Sequence, residues 1–389
     1  MTNNLINRGV ILKYLNRKEI WTIIICIGLI IKISMFSVKL GDYNFYLKPW
    51  IDFIKNNGYC SSLKYNFYNY TPSYIYIFIA LAKIGLNPLY SIKLVSILFE
   101  YLLAYFIGKT VCLNYKNNLI LWITIAIVPL IPTLLINGAL WGQCDSIYSA
   151  FVVGSIYFIF KKKQFKSILF LGLAFAFKIR TIFILPFYFV LLLRGKINWY
   201  YFLLIPLIYF ISILPTWLYG RPLTELFTIY LSQSYYYQML TIFFPNLYIW
   251  ISDNYYQQVK YQGLLLAFLF TFSSCIYLSK KKFHFTFENY IKLAFLSVII
   301  TPFILPGMHE RYLYLGDVMA VLYFFVVKKN IHLSLGIILV SFYSYLCCSR
   351  LQNILPLWPA FFIYLSIIVL TIRDLWKSLL DKPLQIIDK

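Results

Sequence analysis

Residues 167–193 read SILFLGLAFAFKIRTIFILPFYFVLLL, an apolar run whose only charges are Lys178 and Arg180 near its middle. As one membrane helix it would hold two cations at mid-bilayer, at a cost of roughly 2.5–3.5 kcal/mol each. As two short helices it brings both cations to one membrane surface. It then returns Arg194 and Lys196 to the side from which it started. The second arrangement predicts an all-α, polytopic transmembrane bundle with a cationic turn at one face.

The composition requires lipid as the solvent. The 389 residues are 61% hydrophobic and 12% charged, with a mean hydropathy of +0.74. A soluble domain is about half apolar and a quarter charged. Further apolar runs lie near 20–38, 91–108, 119–136, 145–160, 199–218, 261–279, 288–305, 312–327, 331–347 and 354–372. The stretch 72–86 reaches only about 22 Å as a helix, short of a hydrocarbon core of about 30 Å. It is expected to be an interfacial or re-entrant helix.

The net charge of +22 does not point to nucleic acid, because the basic residues form short clusters between apolar runs, such as Lys161–Lys163 and Lys280–Lys282. Such clusters set topology by staying on the cytoplasmic side. With both termini inside, the inner segments collect Lys109, Lys116, Lys161–Lys163, Lys166, Arg194, Lys196, Lys280–Lys282, Lys328 and Lys329. The N-terminal lead (Arg8, Lys13, Arg17, Lys18) and the tail (Arg373, Lys377, Lys382, Lys389) join them. If 72–86 spanned, or 167–193 crossed once, clusters would flip outside. The expectation is therefore one membrane domain over 1–389 with about twelve crossings. It has a first outer loop at 39–90 and a second at 219–260, the latter read as a surface-lying segment. The apolar run from Ile20 lacks a small-residue cleavage site, so it reads as an uncleaved first span. Aromatics, 21% of the chain, suit an interfacial belt. The seven cysteines show no metal spacing and read as small apolar residues.

Four polar constellations then fall on the outer face. Asp42, in LGDYNFY, is either a general base or an interfacial helix-capping acid. NGALWGQCD, with Asn137, Trp141, Gln143 and Asp145, offers groups for sugar hydroxyls and a ring face for stacking. Its plain alternative is a Trp anchor with a capping Asp145. Lys178 and Arg180 suit a phosphate, or anionic lipid headgroups. PGMHERYLYLGD carries His309, Glu310 and Arg311, suited to phosphate binding or proton transfer, with Glu310 available to pair with a cation. A fifth segment, NYTPSYIYIF, contains Tyr70 and opens a helix at Pro72, with Thr71 as its cap. Glu100 and Asp317 are acids inside spans. Lys93, seven residues from Glu100, shares its helix face and suggests a buried polar network.

GDY after the first span, YTP, NGALWGQCD, FKIR and TPFILPGMHERYLYLGD, in this order, resemble the bacterial relatives of the second mannosyltransferase of the eukaryotic GPI-anchor pathway, within the GT-C class of polytopic glycosyltransferases. The resemblance covers roughly residues 20–327, and WGQ-x-D and MHERY are its specific parts. It implies transfer of a hexose, mannose being the family's namesake, from a polyprenyl-phosphate carrier to a glycan or glycolipid acceptor. That transfer would take place on the outer face of the cell membrane. Asp42 stands where the class has its proposed base. Lys178, Arg180 and Arg311 stand as cations for the donor phosphate. Tyr70, Asn137, Trp141, Gln143, Asp145, His309 and Glu310 are expected around the substrates. The chain has Tyr70-Thr71-Pro72, Lys178-Ile179 and Gly307 where many relatives have Tyr-Pro-Pro, Lys-Pro and an Arg before the Met.

The sequence contains no Asp-x-Asp and no glycine-rich phosphate loop, which favours a lipid-linked donor, and nothing visible requires a metal or other cofactor. A lipid-linked oligosaccharide flippase and a polysaccharide polymerase are the alternatives. A flippase calls for repeat symmetry and charges deep in the bundle. A polymerase calls for arginine-rich outer loops, whereas 219–260 carries only Arg221.

Overall fold

The computed structural model describes residues 18–115, 117–281, 285–349 and 354–380. The basic residues Arg8, Lys13, Arg17, Lys116, Lys282, Lys382 and Lys389 lie outside them. The first half of the chain forms α1 (Lys18–Ser34), α2 (Lys48–Asn56), α3 (Pro72–Ile84), α4 (Pro88–Tyr115), α5 (Leu119–Ile127), α6 (Pro132–Leu135), α7 (Asp145–Phe160), α8 (Gln164–Phe177) and α9 (Leu185–Leu193). The second forms α10 (Leu204–Leu218), α11 (Leu223–Tyr236), α12 (Tyr256–Lys280), α13 (Phe287–Ile304), α14 (Tyr314–Val326), α15 (Ile331–Cys347) and α16 (Trp358–Leu380). The one extended pairing among the described residues joins β1 (Thr241–Ile242) in parallel to β2 (Met308–His309).

Helices dominate because lipid offers no partner to a backbone amide, so each segment must satisfy its own. Among the described residues, six helices are long and apolar enough to cross a membrane. A seventh crossing follows if Leu119–Leu130 and Pro132–Leu140, bent by 61°, count as one span. The run 119–136 reads as continuous in sequence, but Pro129 and Pro132 each remove a backbone donor and the helix breaks between them. The segments Pro72–Ile84, Asp145–Phe160, Gln164–Phe177, Ile179–Leu193 and Tyr314–Val326 are apolar but shorter.

The run 167–193 divides at Lys178, whose backbone is extended (φ −153°, ψ 132°). A 3₁₀ turn, Ile179–Ile184, then leads into α9. The stretch 72–86 forms the short α3, with Pro72 in its first turn. Thr71 does not cap it; its hydroxyl donates instead to the Phe177 carbonyl at 3.2 Å, tying α3 to the end of α8. The loop 219–260 contains α11, which buries only Leu226 and Ile229.

The main core lies among α4, α7, α8, α9, α13 and α14, with α14 enclosed along most of its length. A second core, with Trp50, Ile51, Tyr74, Phe78 and Ile92, packs α2 and α3 against the start of α4. Leu265, Leu266, Phe268 and Leu269 on α12 stay exposed, as do Ile23, Ile27 and Ile30 on α1. So broad an apolar exterior suits a lipid-facing surface.

Candidate functional site

Asp42 stands just before a π-helical turn, Tyr43–Leu47, in the segment that leaves α1. Its Oδ2 accepts hydrogen bonds from Gln143 Nε2 and from Arg311 Nη1, the latter at 3.0 Å. Oδ1 has no partner among the described residues, and the side chain is one-third exposed. One carboxylate oxygen is thus anchored and the other is free to take a proton.

Asp145 opens α7 without acting as its cap. It is fully buried, and its Oδ1 accepts from Lys178 Nζ and Arg180 Nη1, both at 2.6 Å. Its Oδ2 accepts from Asn137 Nδ2 at 2.9 Å. The break at Lys178 puts both cations at this one acid. A single carboxylate offsets two charges there, in a place where unpaired charge is expensive. The Arg180 guanidinium lies over the Tyr312 ring, 3.7 Å from its centre, and Lys178 lies 5.4 Å from that of Tyr70.

The HERY segment is positioned by the β1–β2 pairing and by Gly307 N–H donating to the Leu240 carbonyl at 2.7 Å. Arg311 bridges Asp42 and Glu310, the latter at 3.3 Å. His309 sits edge-on to Tyr237, with Nδ1 3.7 Å from Glu310. Burial holds the imidazole below its usual pKa, more than the nearby Glu310 raises it. Burial alone would raise the Glu310 carboxyl, yet His309 and the Arg311 charge bring it below the ordinary glutamate range.

These groups share one polar cavity of about 90 Å³, whose lining includes Tyr70, Lys178, Arg180, His309, Arg311 and Tyr312. Asp42, Asp145 and Glu310 stand behind that lining, so the cavity presents cations with their acids at the rear. It shares Arg180, His309 and Tyr312 with a larger cavity running past Ile182, Lys260, Leu264 and Leu305. Ile182, Leu264 and Leu305 in turn line an apolar cavity of about 530 Å³ between α9 and α12, and Pro186, Thr271 and Cys275 continue it towards Trp376. A cationic pocket therefore opens into an apolar groove that follows α12.

Of the residues singled out in sequence, Tyr70, Lys178, Arg180, His309 and Arg311 meet at the cavity. Asn137 is enclosed, and its amide serves Asp145 and the Tyr345 hydroxyl rather than the cavity. Trp141 stacks on Tyr345, with ring centres 5.1 Å apart. Gln143 serves Asp42. Tyr312 of the MHERY motif, Asn69 and Ile179 also line it, and Gln233, Tyr236 and Tyr237 join them without having been singled out. Tyrosines abound in this chain, 36 in all, and spacing did not separate these from the rest. Lys93 and Glu100, read as parts of a buried polar network, are both enclosed but take separate partners: Glu100 pairs with Lys32 at 2.5 Å, and Lys93 bonds to backbone. A shared helix face aligns two side chains but does not decide which neighbouring helix each one meets. Among the described residues no three His, Cys, Asp or Glu side chains gather as a metal site would require.

No protein-family model, curated protein or solved structure matches this chain.

Proposed function

We propose that the protein is an integral-membrane glycosyltransferase that moves a hexose from a polyprenyl-phosphate donor to a glycan or glycolipid acceptor at the outer face of the cell membrane. The observation that carries this reading is the cationic pocket beside Asp42 continuing into an apolar groove. A donor of this class has an anionic head and a long apolar tail, and the two cavities match those two parts in order. In the transfer step the acceptor hydroxyl gives its proton to Asp42 Oδ1 as its oxygen bonds to the anomeric carbon. The bond from that carbon to the phosphate oxygen breaks, and the electron pair leaves with the phosphate. Lys178, Arg180 and Arg311 stabilise the charge that builds there. The phosphate is a stable anion, so the leaving group needs no acid.

The topology in this reading has twelve crossings, formed by α1, α4, the bent α5–α6, α7, α8, α9, α10 and α12 to α16. Both termini are cytoplasmic, and Asp42, Asp145, Lys178 and Arg311 come to the outer side. Thiol labelling that found position 162 or 281 outside would overturn this topology.

The testing experiment offers the purified protein polyprenyl-phosphate-linked and nucleotide-linked sugars with a panel of glycan and glycolipid acceptors. Wild type is compared with Asp42→Asn, an isosteric change that removes the base. Turnover with the lipid donor alone, reduced about 10²–10⁴-fold in the variant, is the expected result. Turnover with the nucleotide sugar, or an unaffected variant, would discard the donor or the base.

A further inference from the structure

Lys93 lies on α4, one turn and a half from its start, and is 1% exposed. Among the described residues it has no carboxylate partner. Its ammonium donates to three backbone carbonyls just beyond the end of α1: Met35 at 2.8 Å, Phe36 at 3.3 Å and Val38 at 2.7 Å. No side chain from residue 33 to residue 42 is buried. Apart from the Phe36 ring against Tyr90 and the Asp42 carboxylate on Gln143 and Arg311, this stretch is held to the protein interior through its backbone, by the Lys93 ammonium. Asp42 follows four residues after Val38.

The same strip of α4 also holds the other partner of the base. One turn on, the Ser96 hydroxyl donates to the Gln143 carbonyl at 2.6 Å, and the Ser146 hydroxyl donates to the Ser96 carbonyl at 2.9 Å. Gly142 takes a left-handed conformation (φ +67°) close over Lys93, where a Cβ would stand 3.5 Å from the lysine Cγ. Gln143, fixed in this way, donates to Asp42. The segment bearing Asp42 and the loop bearing its hydrogen-bond donor are thus both docked on one face of one helix.

The geometry points to Lys93 as a positioning residue that sets Asp42 against its reaction partner, an inference that rests on the proposed transferase reading. A lysine inside a span is costly unless it has work to do. Here three carbonyls convergent on one ammonium replace the water that would otherwise solvate it. Methionine has similar bulk and no donor. It would leave the carbonyls of Phe36 and Val38 without their interior partner and free the segment to drift. A displacement of about 1 Å at a reacting group costs on the order of 10²-fold in rate. The phosphate cavity does not include Lys93, so donor binding is left intact.

The test has two arms on the full-length protein in lipid. In hydrogen–deuterium exchange, Lys93→Met should raise exchange in the peptide covering 35–43 and leave α7, α13 and α14 protected as in wild type. Unchanged exchange at 35–43, or loss of protection across the bundle, would overturn the assignment. In steady-state transfer, kcat should fall about 10²-fold with the donor KM unchanged; an unchanged kcat, or a loss carried by KM, would overturn it. If Lys93→Met does not fold, Lys93→Gln retains two donors. It should then give a smaller loss of protection still confined to 35–43, and spread of that loss into α4 would count against the role. Absence of transfer by wild type would count against the transferase reading alone, because the exchange arm needs no substrate.

Discussion

Arg311 Nη1 lies 3.0 Å from Asp42 Oδ2, although the two residues are 269 positions apart in sequence. This contact joins the segment after α1 to the turn between α13 and α14, and through Oδ2 it links the Asp42 carboxylate to the cationic cavity. Asp42 borders the cavity through Arg311 rather than lining it. In the proposed transfer, a proton taken at Asp42 and a charge released at the phosphate would be coupled through this one guanidinium.

Arg311→Ala should raise the KM for a lipid-linked donor by at least about tenfold, since one charge-assisted hydrogen bond contributes roughly 1.5–3 kcal/mol. Arg311→Lys keeps the charge but not the planar guanidinium whose Nη1 serves Asp42 and Glu310 together, so it should recover only part of the loss. Steady-state kinetics with varied donor decides this. An unchanged KM in Arg311→Ala would remove the residue from the phosphate site.

The distance in sequence between these partners explains what the sequence did and did not reveal. The break at Lys178 was legible because a cation in lipid has few places to go, so local charge dictated local structure. The six long apolar helices followed from composition in the same way. Pairings between helices were not legible. Asp42 with Arg311, Asp145 with Lys178, and Glu100 with Lys32 each depend on which helices pack together, and one sequence does not encode that in any spacing. Lys32 lies within an apolar run and bears the mark of an intramembrane cation, a signal that the reading of the first span passed over.

Asp145→Asn should destabilise the protein by about 3–5 kcal/mol, because it leaves Lys178 and Arg180 buried without their shared counter-charge. In a Lys178→Met background the same change should cost less, since one of the two stranded cations is already gone. Thermal unfolding of the four proteins in one detergent gives the comparison. Additive losses would mean that Lys178 and Asp145 are not energetically coupled.

His309 should make the protein sensitive to mild acid. Its folded pKa lies below the unfolded value of about 6.5, so its contribution to stability is full above that value. The contribution is lost as pH falls through the folded value. The Tm of wild type should therefore fall more steeply between pH 7 and pH 5 than that of His309→Gln. Glu310, held below the usual glutamate range, adds its own loss only at lower pH, outside this window. Parallel slopes for the two proteins would show that His309 does not titrate in this way.

The groove along α12 gives a prediction that separates tail recognition from head recognition. Ala267 is nearly buried at the groove wall between α9 and α12, opposite Leu185 and Phe189. Ala267→Phe puts a ring into that space and leaves Lys178, Arg180 and Arg311 untouched. Each methylene withdrawn from the groove forfeits about 0.8 kcal/mol. Excluding even two of them exceeds the 1.4 kcal/mol that corresponds to tenfold in binding. The KM for a long-chain polyprenyl donor should rise at least about tenfold on that basis, while the KM for a donor with a tail too short to reach α12 residue 267 should not change. A parallel rise for both donors would point instead to a disturbed phosphate pocket. No rise for either would mean that the tail leaves the cationic cavity by another route, because a chain lying between α9 and α12 could not avoid the added ring.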